Sequence, residues 1–139
     1  AIANAALAYR LFRQSASTPR WERLASAGAN PQRPLWASTS TKDPQYPDIY
    51  YVEALIASDT VNTVPPETLD AYRDHGQPAV RIDEAVAAAP GQLAALRQAG
   101  VDFPAITREL EEEGVAKFAA SSAAVLAGIE AKVGTLAAR

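Results

Sequence analysis

Apolar residues recur every three or four positions along most of the chain, which is the spacing of one face of an α-helix. The clearest case lies between Ile2 and Phe12, where arginines occupy the opposite side. The same spacing predicts a helix from Pro19 to Gly28, another from Ile49 to about Ser58, and a third through Leu69 to Gly76. Helices therefore dominate the predicted structure.

The last third of the chain is predicted to be helical throughout. Asp83 is expected to cap a helix that Pro90-Gly91 kinks or splits before Gly100 ends it. Asp102 then opens a short helix that closes at Gly114. The longest helix follows, from Val115 to about Ala138, with its larger apolar residues along one stripe.

Two short runs break the helical pattern and are typical of strands. They are Arg33 to Ala37, and Thr60 to Val64, which Pro65 and Pro66 halt. Because a helix separates them, the two strands are predicted to be parallel. Trp36 is interpreted as a core residue, since it alternates with Leu35 on a strand covered by helices.

An isolated pair of parallel strands is physically incomplete, since parallel strands occur almost only in larger sheets covered by helices. Either further strands come from outside this segment, or the chain is a helical assembly with a marginal ribbon. We expect the first arrangement.

Composition narrows the classes of function. The 139 residues suit one domain, and 31 of them are alanines, which favour helices. The net charge is −3 and the basic residues are scattered, so neither nucleic acid nor a membrane is an expected partner. No apolar run approaches the roughly 20 residues of a membrane span, and no secretion signal opens the chain.

The absence of cysteine excludes disulfides and thiolate metal sites, and it fits a reducing, cytoplasmic compartment. With a single histidine, His75, no metal site is predicted. The first residue is Ala1 rather than methionine, from which we expect a processed product or a piece of a longer protein.

The candidate chemistry follows the first predicted strand. Ser38, Thr39, Ser40 and Thr41 are consecutive hydroxyl residues, and Lys42 comes directly after them. Hydroxyls and turn N–H groups donate to phosphate oxygens, and lysine adds a positive charge. The loop is therefore interpreted as an anion-binding loop at the carboxyl end of a strand, where the ligand loops of βα units lie. The alternative is a polar surface turn that caps the next helix.

The segment from Arg33 to Gly76 closely resembles the C-terminal barrel segment of transaldolases, most of all at "PLWASTSTK" and "DTVNTVPPETLDA". It looks most like the longer bacterial type, which also occurs fused to glucose-6-phosphate isomerase. The flanking helices fit as well, although many alanine-rich helices would match them. The resemblance covers essentially the whole chain.

The resemblance implies an α/β fold, the helix-rich C-terminal part of a (β/α)8 TIM barrel that carries strands seven and eight. Residues 1–81 would form the βα units and residues 82–139 the terminal helices, as a single segment. It also implies transfer of a dihydroxyacetone unit between sugar phosphates in the pentose phosphate pathway, through a lysine Schiff base and without a cofactor. The implied substrates are fructose 6-phosphate, sedoheptulose 7-phosphate, erythrose 4-phosphate and glyceraldehyde 3-phosphate.

By the same resemblance, the loop after strand seven binds the sugar phosphate through Ser38, Thr39, Ser40 and Lys42. Many relatives have an arginine in this loop, and here Lys42 would supply the charge. Asn62 and Thr63, on strand eight, are further pocket candidates, although polar fillers of a barrel interior are as common.

The Schiff-base lysine, aspartate and glutamate of the family lie on strands four, one and three, which this chain does not contain. The remaining lysines, Lys117 and Lys132, fall in the last helix and stay protonated in water. No catalytic residue is therefore predicted here, and the chain alone is expected to be inactive. Its expected partner is the N-terminal remainder of the barrel.

Other chemically suggestive residues have simpler interpretations. His75 is expected to cap or decorate the end of its helix. A run of glutamates is expected to be a solvated helix face. It comprises Glu109, Glu111, Glu112 and Glu113. A tyrosine cluster after the loop is expected to pack on the helical layer of the barrel. It comprises Tyr46, Tyr50 and Tyr51.

Two other functions stay open from the residues alone. One is a non-catalytic module that binds sugar phosphates or other anions through the loop from Ser38 to Lys42. The other is a helical interaction domain, in which the apolar stripe of the last helix docks on a partner.

Overall fold

A computed structural model of the chain describes residues 1–137, apart from the side chains of Thr135 and Ala137. Ala1–Ala95 form one compact unit, and a second unit begins at Leu96. The candidate loop and both described strands lie within the first unit. The elements in chain order are α1 (Ile2–Ala16), α2 (Pro19–Ser26), β1 (Leu35–Trp36), α3 (Tyr50–Ala54), β2 (Val61–Asn62), α4 (Pro66–His75), α5 (Ile82–Gln98) and α6 (Phe103–Ala137).

Local sequence chemistry explains the limits of α2. The Thr18 side chain accepts a hydrogen bond from the Trp21 N–H at 3.2 Å, and Pro19 occupies the first helical position. At the other end, Gly28 adopts a φ of +93°, which a residue with a side chain rarely adopts. The Ala29 N–H then donates to the Leu24 carbonyl at 3.0 Å, so the predicted glycine stop is confirmed.

The two strands are parallel, as predicted. Leu35 pairs with Val61 and Trp36 with Asn62. Each strand is shorter than the five residues predicted, because each has only one described neighbour to hydrogen-bond with. The hydrogen bonds between them include the N–H of Val61 on the Pro34 carbonyl and the N–H of Thr63 on the Trp36 carbonyl, both at 2.9 Å.

One face of this ribbon is covered by helices. Trp36 packs against the core cluster of Tyr9, Leu55 and Ile82, and its indole N–H donates to the Leu55 carbonyl at 3.1 Å. The interpretation of Trp36 as a core residue is therefore confirmed. Alternation along a strand places Leu35 on the opposite face, where 55% of its surface is exposed.

The start and middle of α5 differ from the prediction. The helix begins at Ile82, so Asp83 lies inside the first turn, where its carboxylate accepts from Arg13 Nη1 at 2.6 Å. The helix also runs through Pro90 without interruption, so it is not split there. Proline removes one backbone donor, and the complete burial of the neighbouring Ala89 helps to keep the turn packed.

The last helix also corrects the prediction. Asp102 opens α6 as predicted, since its Oδ1 accepts from the Ala105 N–H at 3.0 Å. However, α6 continues through Gly114 to Ala137, where two helices were predicted. A glycine inside a helix costs roughly 0.5–1 kcal/mol, which weakens a helix without ending it. The predicted end near Ala138 lies outside the described residues.

Because α6 is continuous, it is long and apolar enough to cross a membrane by length and composition alone. Within Phe103–Gly134, an 18-residue stretch has a mean hydropathy of 1.2, and none of that stretch is buried. This corrects the expectation that no segment approaches such a span. The helix nevertheless carries several charged residues, Glu130 and Lys132 among them. Charges of this kind cost roughly 2.5–3.5 kcal/mol each at a bilayer centre.

Candidate functional site

The loop after β1 begins with a sharp change of backbone direction at Ser38. This residue has a φ of +58°, in the left-handed region, although it is not glycine. That conformation costs a non-glycine residue roughly 1–3 kcal/mol and persists only where the surroundings enforce it. The turn therefore has a structural cause nearby.

The hydrogen bond of Thr39 supplies such a cause. Thr39 is only 2% exposed, and its Oγ1 donates to Oδ1 of Asn62 at 2.8 Å. Because Asn62 ends β2, the bond ties the loop that follows one strand to the neighbouring strand. The left-handed turn at Ser38 precedes this buried anchor directly.

Four residues of the loop, Ser38, Thr39, Ser40 and Lys42, line one pocket of about 410 Å³. The opposite walls come from the start of α1 and from Tyr51 on α3. The hollow thus combines the hydroxyls of the loop, a lysine, an aspartate and an apolar part of the wall. Its full lining is Ala1, Ile2, Ala5, Trp36, Ala37, Ser38, Thr39, Ser40, Lys42, Asp43, Tyr51 and Leu55.

The charge of Lys42 is available to a ligand. Its side chain is exposed, and among residues 1–137 its ammonium forms no ion pair. The adjacent Asp43 is occupied locally, because its Oδ1 accepts from the Gln45 N–H at 2.9 Å and its carbonyl from the Tyr46 N–H at 3.2 Å. The pocket therefore has one cationic side chain without an ion pair in the described residues and one carboxylate that already accepts a hydrogen bond from the turn.

The other two predicted pocket residues lie at the end of β2 (Asn62) and directly after it (Thr63). Asn62 shares the helix-covered face with Trp36 and lines a separate hollow of about 300 Å³ between the ribbon, α3 and α4. Thr63 is exposed, and its hydroxyl donates to the Trp36 carbonyl at 3.0 Å. Their contact with a substrate stays a prediction.

Sequence reasoning did not include two contributors to the pocket wall. Tyr51 was assigned to helix packing, and α1 was not connected with the loop. The tyrosines do pack together, with the Tyr46 and Tyr50 rings stacked at 5.2 Å. Tyr51 nevertheless lies on the pocket side of α3. Its nearness in sequence to the loop was the only available signal.

The remaining chemically suggestive residues lie elsewhere. His75 Nε2 is 3.0 Å from Oδ1 of Asp48, and its side chain is 47% exposed. The predicted solvated glutamate face on α6 is exposed, and Glu113 pairs with Lys117 at 2.6 Å. Within the described part of the chain, no group of three or more His, Cys, Asp or Glu residues is arranged to hold a metal ion.

Comparison with known proteins identifies the family. The model of the transaldolase/fructose-6-phosphate aldolase family matches residues 1–129. The transaldolase of Parafrankia sp. (strain EAN1pec) is 54% identical over 138 residues, which are 99% of this chain and 37% of that protein. The transaldolase of Acidothermus cellulolyticus is 53% identical over 87% of this chain and 33% of its own length. The transaldolase of Thiobacillus denitrificans is 46% identical over 93% of this chain and 36% of its own length.

The chain therefore spans about a third of the length of these curated relatives. The match begins at residue 1, runs through the loop and both strands, and extends into α6. A match of that extent, together with relatives of about 50% identity, shows that the chain belongs to the transaldolase/fructose-6-phosphate aldolase family.

Proposed function

We propose that this chain is the sugar-phosphate-binding segment of a transaldolase. The observation that carries the proposal is the pocket at the carboxyl end of β1, where Ser38, Ser40 and an unpaired Lys42 face one hollow. A phosphate dianion needs hydrogen-bond donors and positive charge, and this wall offers both. Fructose 6-phosphate, sedoheptulose 7-phosphate, erythrose 4-phosphate and glyceraldehyde 3-phosphate all carry such a group.

In this proposal β1 and β2 are strands seven and eight of a (β/α)8 barrel. Two features support it: the strands are parallel, and the side chain of Leu35, on the ribbon face opposite Trp36, is largely exposed. Parallel sheets are normally buried on both faces. The missing cover would come from the N-terminal remainder of the barrel, which is the proposed partner.

The covalent chemistry of the proposed cytoplasmic enzyme lies outside this chain. By family resemblance, a lysine of another strand forms the Schiff base that carries the dihydroxyacetone unit, and no cofactor takes part. Lys42 lies in the proposed phosphate site, and Lys117 and Lys132 lie on exposed parts of α6. A lysine needs a desolvated pocket or a neighbouring cation to act as a nucleophile, and these three side chains are exposed. The chain alone is therefore expected to be inactive.

The test of this division uses fructose 6-phosphate and borohydride. With the chain alone, we expect no reduced covalent adduct by mass spectrometry. The chain is then grafted in place of the matching segment of the Parafrankia transaldolase, where we expect activity. In that protein Lys42→Ala should raise the KM for fructose 6-phosphate by at least about tenfold, since it removes a charge-assisted contact. An adduct on the isolated chain, or an unchanged KM, would contradict the proposal.

A second candidate, a helical interaction domain, is favoured by one observation. Many large apolar side chains of α6 are exposed, including Phe118 at 82% and Val125 at 62%. The two functions differ in their dependence on the loop. If Lys42→Ala changes neither activity nor binding of inorganic phosphate, while changes on the α6 stripe abolish activity, the interaction domain is the better account.

A further inference from the structure

We propose that Thr39 and Asn62 are positioning residues that decide which hydroxyls of the loop face the phosphate. The inference rests on the proposed function and goes beyond it, because the contacts proposed there are those of Ser38, Ser40 and Lys42. It also changes the sequence-based site, in which Thr39 was counted among the phosphate-binding residues.

The first step concerns the single proton of a hydroxyl. Thr39 Oγ1 donates to Asn62 Oδ1 at 2.8 Å, and a threonine hydroxyl has only one proton to donate. A phosphate dianion offers acceptors only. Although Thr39 borders the pocket, its hydroxyl is therefore committed, and it cannot also donate to a phosphate oxygen.

The second step concerns which hydroxyls of the loop are left to face the pocket. Ser38, Thr39 and Ser40 all line it, whereas Thr41 does not, and the Thr41 Oγ1 is buried without a hydrogen-bond partner in the described residues. Because the Thr39 hydroxyl is bonded to Asn62, only the hydroxyls of Ser38 and Ser40 remain for a ligand. Holding Thr39 against Asn62 keeps the serines on either side of it at the pocket.

The third step connects the anchor with the strained residue. Ser38 has a φ of +58° and directly precedes Thr39. A residue held there relaxes readily when its support is removed, because the left-handed region is unfavourable for serine. Without the anchor, the loop is expected to sample conformations in which Ser38 and Ser40 no longer converge on one point.

The experiment uses the grafted, active enzyme described above and compares Thr39→Val with Thr39→Ser. Valine keeps the shape of threonine and removes the hydroxyl, whereas serine keeps the hydroxyl. We expect Thr39→Val to raise the KM for fructose 6-phosphate by about five- to tenfold, the effect of one lost hydrogen bond, with kcat changed less than twofold. Thr39→Ser should restore the KM to within about twofold. Asn62→Leu should match Thr39→Val, and the double variant should add nothing to either change.

Thr60→Val is the matched control. Its hydroxyl donates to the Ala57 carbonyl at 2.8 Å, just before β2 and at the opposite end of the strand from the loop. It should lose a similar amount of stability and leave the KM unchanged. A ligand without phosphate, dihydroxyacetone, should show no change in KM in the Thr39 and Asn62 variants, because they act through the phosphate-binding loop.

The outcomes separate this inference from the proposed function. If Lys42→Ala raises the KM but Thr39→Val does not, the loop binds phosphate and the positioning role is overturned. The same holds if Thr39→Val and Thr60→Val have equal effects, or if the Thr39 and Asn62 changes are additive. If the wild-type graft is inactive, or its KM ignores Lys42→Ala, the proposed function itself fails. In that case inorganic phosphate is titrated into the ungrafted chain, and binding is monitored by NMR through the amide resonances of residues 38–42. Equal phosphate affinity in Thr39→Val and wild type would overturn the positioning role.

Discussion

His75 Nε2 lies 3.0 Å from Oδ1 of Asp48, so the end of α4 is tied to the segment that follows the candidate loop. The ring's other nitrogen, Nδ1, lies 3.2 Å from Oδ2 of Asp74. Hydrogen bonds to these two carboxylates raise the pKa of His75 above its usual 6.5, and the bond to Asp48 has the larger effect. The same hydrogen bond lowers the pKa of Asp48 below its usual 3.8. The carboxylate of Glu53 is also close enough to interact electrostatically with His75.

The first prediction concerns the pH dependence of this contact. A raised histidine pKa means that its stabilisation is complete below about pH 6.5 and is lost as pH rises through the value in the folded protein. The lowered pKa of Asp48 preserves the carboxylate until the solution is strongly acidic. His75→Gln should therefore lower the Tm more at pH 5.5 than at pH 8.5, as measured by circular dichroism.

The matched control for His75 is on the same helix. Arg73 pairs with Asp70 at 3.5 Å, and no histidine takes part in that pair. Arg73→Gln should shift the Tm equally at both. If His75→Gln shows the same pH-independent shift, the ion pair does not contribute in solution.

The second prediction concerns Glu53, which fastens the segment after α4 onto α3. Its Oε1 accepts from the Gln77 N–H at 2.7 Å, and its Oε2 pairs with Arg81 Nη1 at 2.5 Å. Glu53→Gln should lower the free energy of unfolding at pH 7 by about 1–3 kcal/mol, because it weakens two charge-assisted hydrogen bonds. Urea denaturation measures the change, and Glu112→Gln on an exposed part of α6 is the control.

The pH dependence of the Glu53 effect has the opposite sign to that of His75. The Gln77 N–H, followed by Arg81, lowers the pKa of Glu53 below its usual 4.5. Its contribution is therefore present above about pH 4.5 and is lost as pH falls through the value in the folded protein. Wild type and Glu53→Gln should converge in stability toward pH 3; a constant difference would assign the effect to shape rather than charge.

These contacts show what the sequence can and cannot predict. Helix limits that depend on neighbours in sequence, such as the glycine stop at Gly28 and the cap at Asp102, were predicted correctly, because the residues that satisfy the helix end lie within a few positions of it. The Thr39–Asn62 bond joins residues 23 positions apart and leaves no local signal. Residue types were therefore enough to locate the loop. They did not indicate which of its hydroxyls are hydrogen-bonded to another residue.

The third prediction concerns Gly76, which ends α4 beside the ring of Tyr72. A Cβ at this position would lie 2.5 Å from the Tyr72 carbonyl oxygen and 2.5 Å from the ring atom Cδ2. Because one of these atoms belongs to the backbone, the contact cannot be relieved by a side-chain rotation alone. Gly76→Ala should therefore destabilise the protein by about 1–3 kcal/mol. Gly91→Ala, whose Cβ would meet open space inside α5, is the control and should not destabilise.

The fourth prediction concerns Gly114, at which sequence reasoning and the structure disagree. Because a glycine often ends a helix, two helices are predicted from the sequence. The structure has one helix, and a Cβ added at Gly114 would meet open space. In a continuous helix, Gly114→Ala should raise the helical ellipticity and stabilise the helix by about 0.5–1 kcal/mol, because alanine restricts the unfolded chain and suits the helical conformation. Gly100→Ala should do the reverse, since Gly100 ends α5 with a φ of +87° that alanine tolerates poorly. If Gly114→Ala also reduces ellipticity, Gly114 adopts a conformation that alanine disfavours, and the two-helix prediction is the correct one.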